Sequence, residues 1–431
     1  MLETHTLDAL GEAVHQLERQ FAALPECASP EAAGMEAVIG EVAERLGENY
    51  PYFHPLYAGQ MLKPPHPVAR AAYALATWIN PNNHALDGGR ASTAMEREAV
   101  AQIAAMFGWQ EHLGHLTGGG TMANLEALWV AGLLQPGKKI VASSQSHYTH
   151  KRISGVLRLP FAKVATDARG RMDMAALEQM VAAGDIGCVV ATLGTTATGS
   201  VDPLPDILAL RERYGFRVHV DAAYGGYFIL ADNLGPETRA AFDRTVNADS
   251  IVIDPHKHGL QPYGCGCVLF RDPGAGTLYK HDSPATYFSS KELHLGEISL
   301  ECSRPGASAV ALWATMRLLP LERGGEFAQG LAASRRAALG LHLRLARDAR
   351  FLTPFAPQLD IVVWAVKNGS AERVFQEAAR RNLHLALARL PGAFFGSPEE
   401  QVLCLRSVLM KPEHEQWIDR IWEILDEATN A

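Results

Sequence analysis

The sequence of 431 residues predicts an α/β protein with a mainly parallel sheet, followed by a smaller α+β unit. Two observations predict this fold class. Short apolar runs alternate with helical periodicity between residues 116 and 270, and a second group of strands and helices follows residue 326. Alternating strands and helices are typical of parallel sheets that are covered by helices. A chain of this length also exceeds one ordinary core, so we expect more than one domain.

The first 65 residues are expected to form a helical segment and an extended arm. Residues 1–48 have helical character with a break at Pro25 and Pro30, and the next stretch, NYPYFHPLYAGQMLKPPHP, has too many prolines for a regular helix. Such a segment has no core of its own, so we expect it to pack on a second copy of the chain in a homodimer.

Residues 66–325 are expected to form the large domain and residues 326–431 the small one. Early helices are predicted at Val68–Trp78 and Thr93–Phe107. The strands predicted for the large domain are Lys139–Ala142, Cys188–Leu193, Arg217–Asp221, Ser250–Asp254 and Gly266–Phe270, with helices at Thr121–Leu133, Asp173–Ala183 and Pro205–Tyr214 between them. The small domain is predicted to contain strands at Ile361–Val366, His384–Ala388 and Val402–Met410 and helices at Ala371–Arg381 and Glu413–Ala428.

Composition argues against several classes of function. The net charge is −8 and no long basic run occurs, so a nucleic-acid partner is not expected. No apolar stretch is long enough for a membrane span, and the acidic N-terminus does not resemble a secretory signal. Six scattered cysteines are few for this length, which favours a reducing, cytoplasmic location.

Polar residues that follow buried strands form the strongest functional signal. Lys257 in SIVIDPHKHG follows an apolar strand by three residues. Burial disfavours a charged ammonium, so a lysine at this position is explained if it forms an imine. The alternative is a surface lysine in a turn. Asp221 in HVDAAYGG ends another strand, where it could keep a pyridinium nitrogen protonated or act as a cap. His256 and His258 flank the lysine, but no third ligand is found, so no metal site is predicted.

Three further segments add weaker signals. In LTGGGTMANLEALWVA, glycines precede a helix that starts near Thr121, and this turn could bind a phosphate or simply join a strand to a helix. His147 in SSQSHYTHKRISGVL could stack on an aromatic ring or act as a cap. Thr196 in TLGTTATGSVDPLPDI belongs to a pocket floor or to a plain loop.

In their order along the chain, these segments resemble the group II pyridoxal 5′-phosphate (PLP)-dependent amino acid decarboxylases, which have the fold type I, aspartate-aminotransferase-like scaffold. The segments GGGTMANLEAL, GTTATGSVDPL, HVDAAYGG, DPHKHG and VLCLRSVLMKPEHEQWIDRIWEIL carry the resemblance, which extends from about residue 51 to the C-terminus. It implies PLP as cofactor, an L-amino acid as substrate, and an amine and CO2 as products. A carbon–carbon lyase or an aldehyde synthase on the same scaffold is the nearest alternative, and a non-catalytic PLP-fold protein is a remote one.

The resemblance also implies a role for each matched residue. Lys257 would be the Schiff-base lysine, and Asp221 would pair with the pyridine nitrogen. The remaining cofactor contacts would be Gly120, Thr121 and His256 at the phosphate, His147 and Ala223 on the two ring faces, and Thr196 near the ring hydroxyl.

The substrate and the proton donor are less closely specified. Arg304 in ECSRPGAS would bind a substrate carboxylate, with a structural ion pair as the alternative. The loop-like segment from Arg271 to Ser290 would supply a tyrosine that protonates Cα. Tyr279 is preferred over Tyr287 for this role, packing of both tyrosines is the alternative, and His147 is the next candidate donor.

Overall fold

The structure, a computed structural model, describes residues 4–25, 33–279, 294–367 and 369–431. The helices are α1 His5–Gln20, α2 Met35–Leu46, α3 Pro67–Ile79, α4 Leu86–Met106, α5 Gly120–Leu134, α6 Thr149–Val156, α7 Met174–Val181, α8 Leu204–Tyr214, α9 Pro236–Asp243, α10 Gly306–Leu318, α11 Glu326–Arg347, α12 Ala371–Arg380 and α13 His414–Asn430. The strands are β1 Leu113–Thr117, β2 Lys139–Ser143, β3 Phe161–Val164, β4 Ile186–Thr192, β5 Arg217–Asp221, β6 Ser250–Ile253, β7 Gly266–Phe270, β8 Phe351–Leu352, β9 Ile361–Val366, β10 Ala386–Pro391 and β11 Gln401–Val408.

Within these residues, a seven-stranded sheet with the order β1-β7-β6-β5-β4-β2-β3 forms the larger layer. Strands β2 to β6 pair in parallel, whereas β7 pairs antiparallel with both β6 and β1. All residues of β4 are buried, as expected for a strand whose two faces are both covered by helices. The predicted α/β fold class with a mainly parallel sheet is therefore confirmed.

The parallel strands bring chemically useful side chains to one edge of this sheet. Thr192 at the end of β4 is in register with Asp221 at the end of β5, and Asp221 is in register with Val252 near the end of β6. Because parallel strands end at the same edge, the segments that follow them converge there. This edge is where open α/β sheets bind their ligands.

A four-stranded antiparallel sheet with the order β10-β11-β9-β8 forms the second layer. Helices α11, α12 and α13 cover it, and its core contains the fully buried side chains of Trp364, Leu405 and Ile421. The boundaries at residues 65 and 325 stay a prediction.

The N-terminal helices are the least buried part of the described chain. Helix α1 lies against α3, while neither α1 nor α2 has a buried residue. Among the described helices, none is long and apolar enough to cross a membrane.

Candidate active site

A cavity of about 590 Å³ opens at the carboxyl ends of β4, β5 and β6. Its walls are formed by the glycine turn before α5, the segments that follow β2, β4 and β5, and the turn after β6. The residues that line it are Gly118, Gly119, Gly120, Thr121, Met122, Asn124, Leu125, His147, Thr149, Thr192, Gly194, Thr196, Asp221, Ala223, Tyr224, Asp254, His256, Lys257 and Glu301. The predicted cofactor contacts therefore meet in one cavity, whose volume is within the range of small-molecule sites.

Lys257 projects from the turn after β6 into this cavity. Its Nζ lies 3.0 Å from Oδ2 of Asp254, and the turn is closed by a hydrogen bond from the backbone N–H of Lys257 to the carbonyl of Asp254. Asp254 is almost fully buried, so it requires a cationic or hydrogen-bonding partner. Sequence reasoning missed Asp254, although its place three residues before the lysine was a usable signal.

Asp221 is held rigidly at the end of β5. One carboxylate oxygen accepts a hydrogen bond from the backbone N–H of Ala223 at 3.1 Å, and the other lies 2.8 Å from Nε2 of His150. Burial alone raises the pKa of Asp221, but the hydrogen bond from His150 and nearby positive charge outweigh it and hold the pKa below its usual range. The carboxylate therefore stays ionised in a buried place, and His150 is a second residue that sequence reasoning missed.

The glycine turn leaves the start of α5 open toward the cavity. Gly119 is the N-cap and supplies no side-chain cap, so backbone N–H groups in the first turn of α5 remain available for an anion. The backbone N–H of Gly118 instead donates to Glu301. Nδ1 of His256 accepts a hydrogen bond from the backbone N–H of Cys265, which leaves its Nε2 as the donor.

His147, Ala223 and Thr196 also border the cavity. Nδ1 of His147 accepts from the backbone N–H of Thr149, so the ring proton is on Nε2. Burial lowers the pKa of His147, which favours its neutral form.

Arg304 and Tyr279 do not line this cavity. Arg304 is buried, lies 3.0 Å from Glu96 and donates to the carbonyl of Leu116, which is the structural ion pair that the sequence left open. The hydroxyl of Tyr279 donates to Glu126 at 2.9 Å, and burial together with this carboxylate raises its pKa. Tyr287 lies outside the described residues.

A second cavity, of about 460 Å³, adjoins the first and shares His147 and Thr196 with it. Arg406 on β11 lines it and is only 5% exposed. One guanidinium nitrogen donates to the carbonyl of Gly59, whereas Nε and Nη2 have no hydrogen-bond partner among the described residues. Lys151 and Lys163 also line this cavity, which therefore favours an anion.

The lining residues of the first cavity fit PLP. The uncapped start of α5 suits a phosphate, the ionised Asp221 suits a ring cation, and Lys257 is the amine that a carbonyl carbon requires. Oγ1 of Thr192 and Oδ1 of Asp254 are buried and have no hydrogen-bond partner among the described residues, so the cavity has unused polar capacity.

Comparisons with known proteins agree with this fit. The family model described as pyridoxal-dependent decarboxylase conserved domain matches residues 134–367. The chain is 29% identical to a probable L-tyrosine/L-aspartate decarboxylase of Methanopyrus kandleri over 77% of this chain and 88% of the relative. It is 30% identical to the L-aspartate decarboxylase of Thermococcus kodakarensis over 67% of this chain and 74% of the relative.

Among solved structures, mouse CSAD is similar in fold, with a TM-score of 0.81, 18% identity and 99% coverage of both chains. The family match, which covers more than half of the sequence, and the decarboxylase relatives together establish the activity and the cofactor. The chain belongs to the pyridoxal-dependent decarboxylase family and is a PLP-dependent amino acid decarboxylase.

Proposed function

We propose that this decarboxylase binds PLP through a covalent bond to Lys257, with Asp221 at the ring nitrogen. The observation that carries the proposal is the convergence of these two side chains on one cavity at the carboxyl edge of the sheet. PLP requires an amine for its carbonyl carbon and a negative charge beside its ring nitrogen, and Lys257 and the ionised Asp221 can supply them. Borohydride reduction followed by peptide mass spectrometry tests the proposal, and a pyridoxyl group on any other lysine would overturn it.

The other cofactor contacts follow from the same cavity. We assign Gly120, Thr121 and His256 to the phosphate, because they surround the open end of α5. His147 and Ala223 would lie on the two ring faces, and Thr196 would lie near the ring hydroxyl.

The chain's own groups supply orientation, charge and proton transfer. When bound, PLP supplies the electron sink for the negative charge that remains at Cα when CO2 leaves. Asp221 holds the compensating charge beside the ring nitrogen. Asp254 lies 3.0 Å from Nζ of Lys257 and orients this amine, which is the nucleophile that the carbonyl carbon of PLP requires. Nε2–H of His147 is the donor that the cavity offers for Cα.

We further propose that the substrate is an acidic amino acid, whose side-chain carboxylate binds Arg406. The α-carboxylate loses its negative charge when it leaves as CO2, so a guanidinium paired with it would stabilise the substrate more than the transition state. Arg406 is therefore better suited to the side-chain carboxylate, which the product retains. The two unpaired nitrogens of Arg406 suit a bidentate carboxylate. The name of the Thermococcus kodakarensis relative, L-aspartate decarboxylase, agrees with this choice, whereas the Methanopyrus kandleri relative is named for both L-tyrosine and L-aspartate.

Steady-state kinetics with L-aspartate, L-glutamate and L-tyrosine tests the substrate class. Arg406→Leu should raise KM for the acidic substrate by about 10- to 100-fold, the value of a hydrogen-bonded charge pair. Arg389→Leu is the matched control, because Arg389 is exposed on β10 and lines neither cavity. L-tyrosine as the best substrate, with Arg406→Leu unaffected, would overturn the assignment. Release of CO2 and amine without aldehyde separates decarboxylation from aldehyde synthesis.

We also propose a cytoplasmic homodimer in which the N-terminal segment packs on the partner. Helix α2 supports this, because its exposed apolar side chains repeat every three or four residues: Met35, Val38, Ile39, Val42 and Leu46. The low cysteine count supports the location. Sedimentation of Ile39→Asp should show dissociation toward monomer. A monomeric, fully active parent protein would refute the dimer.

A further inference from the structure

His150 forms a buried pair with the carboxylate that we assign to the cofactor. The second residue of α6 places its ring against the end of β5, where Nε2 lies 2.8 Å from Oδ2 of Asp221. The ring of His150 is fully buried, and Asp221 is 5% exposed. His150 does not line the cavity, and its side chain contacts the lining residue Asp221.

The hydrogen-bond pattern fixes the tautomer of His150. Nδ1 has no partner among the described residues. A proton on Nδ1 would therefore be a buried, unpaired donor, and Nε2 would face an ionised carboxylate with no proton between them. The proton belongs on Nε2, where it is donated to Asp221.

The pair leaves Asp221 with unused accepting capacity. A carboxylate has about four lone-pair sites, and the contacts with His150 and the backbone N–H of Ala223 use two of them. These two bonds involve different oxygens of the carboxylate, so together they restrain its rotation.

We propose that His150 is a positioning residue that fixes the Asp221 carboxylate, with its full negative charge, toward the ring nitrogen of bound PLP. The inference rests on the proposed role of Asp221. A histidine that only filled space at this position would need no contact with a carboxylate, and its loss would leave the charge of Asp221 unchanged.

Other titratable groups also face this pair, and they define the background of a pH experiment. They are His147 before α6, His219 on β5, and Asp254 and Lys257 after β6. Burial lowers the pKa of His219 to about 3, and both of its ring nitrogens are hydrogen-bonded, to Asn124 and Ser250. His219 therefore stays neutral across the range of the assay.

The test compares His150→Leu, His150→Gln and the control Ser154→Ala in the full-length protein. Ser154 is buried on the same helix one turn later, its hydroxyl has no hydrogen-bond partner among the described residues, and it does not line the cavity. We expect His150→Leu to raise the PLP dissociation constant by about 10- to 100-fold, the value of a hydrogen bond to a charged group. The acid-side transition in the visible absorption of bound cofactor should move to higher pH, because Asp221 loses the donor that keeps it ionised. His150→Gln, which keeps an N–H donor, should recover part of both effects, and Ser154→Ala should match the parent.

A double-mutant cycle that combines His150→Leu with Asp221→Asn separates the proposed role of His150 from the proposed role of Asp221. If His150 acts through Asp221, His150→Leu should change PLP affinity less than about twofold once the carboxylate is absent. Parental affinity and spectra in His150→Leu, with Asp221→Asn impaired, would overturn the role of His150 alone. Parental behaviour of Asp221→Asn would overturn the proposed role of Asp221 itself. If His150→Leu does not fold, His150→Asn replaces it, because its shorter side chain does not reach Asp221 and the same outcomes apply.

Discussion

Asp221→Asn removes one charge from the active-site cavity and preserves the shape of the side chain. Asp221 is 5% exposed, so the full value of a buried charge pair applies without a discount for solvent screening. One close opposite charge shifts a pKa by about 1–3 units, which corresponds to about 1.4–4 kcal/mol. If the ring nitrogen loses this stabilisation, kcat should fall by about 10- to 1000-fold.

The assay is CO2 release under saturating substrate, with the pH dependence of cofactor absorption recorded on the same samples. Asp249→Asn is the matched control, because Asp249 precedes β6 at the opposite edge of the sheet and accepts a hydrogen bond from the backbone N–H of Val218. A value of kcat within about twofold of the parent in Asp221→Asn would refute the reasoning, since it would assign the carboxylate to capping alone.

Three further predictions concern Lys257, Tyr279 and the buried Lys411, which follows β11. Lys257→Ala should lose turnover and the visible absorption of lysine-bound cofactor; retained absorption would contradict the assignment. Tyr279→Phe should still form amine, and thermal unfolding should show a loss of about 1.5–3 kcal/mol for its bond to Glu126; aldehyde as the product would restore Tyr279 as the proton donor. Burial lowers the pKa of Lys411 to about 7, so the unfolded chain binds more protons between about pH 7 and 10 and the free energy of unfolding rises with pH there. In denaturant unfolding, Lys411→Met should reduce the rise in the free energy of unfolding by up to about 1.4 kcal/mol per pH unit. If the slope of the free energy of unfolding against pH is unchanged, Lys411 is solvated.

The sequence predicted the residues that follow buried strands, because the apolar runs that define those strands are local. Asp221 and Lys257 were found in this way, and both line the cavity. The strands β1 and β3 were missed because a polar residue, His115 in β1 and Lys163 in β3, interrupts each apolar run. The antiparallel direction of β7 was also missed, because the 254–265 connection to β6 carries no signal of strand direction.

Side-chain pairing between distant segments could not be predicted. Arg304 contacts Glu96, which is more than 200 positions earlier in the sequence, so its ion pair depends on the packing of α4 near β1. Arg406 faces the second cavity only because β11 of the small sheet lies near the segments that follow β2 and β4. Such contacts are products of tertiary structure, and no local pattern encodes them.

The glycine turn before α5 satisfies two constraints at once. A Cβ at Gly120 would lie 2.7 Å from Oδ2 of Asp254, and a Cβ at Gly266 would lie 2.6 Å from the backbone of Gly119. Glycine is therefore required here for packing against β7 and against a carboxylate, as well as for the approach of a phosphate. Because the same Oδ2 lies 3.0 Å from Nζ of Lys257, Asp254 connects the start of α5 to the lysine. A side chain at position 120 would therefore displace the carboxylate that lies beside the amine of Lys257, as well as narrow the approach of a phosphate to the start of α5.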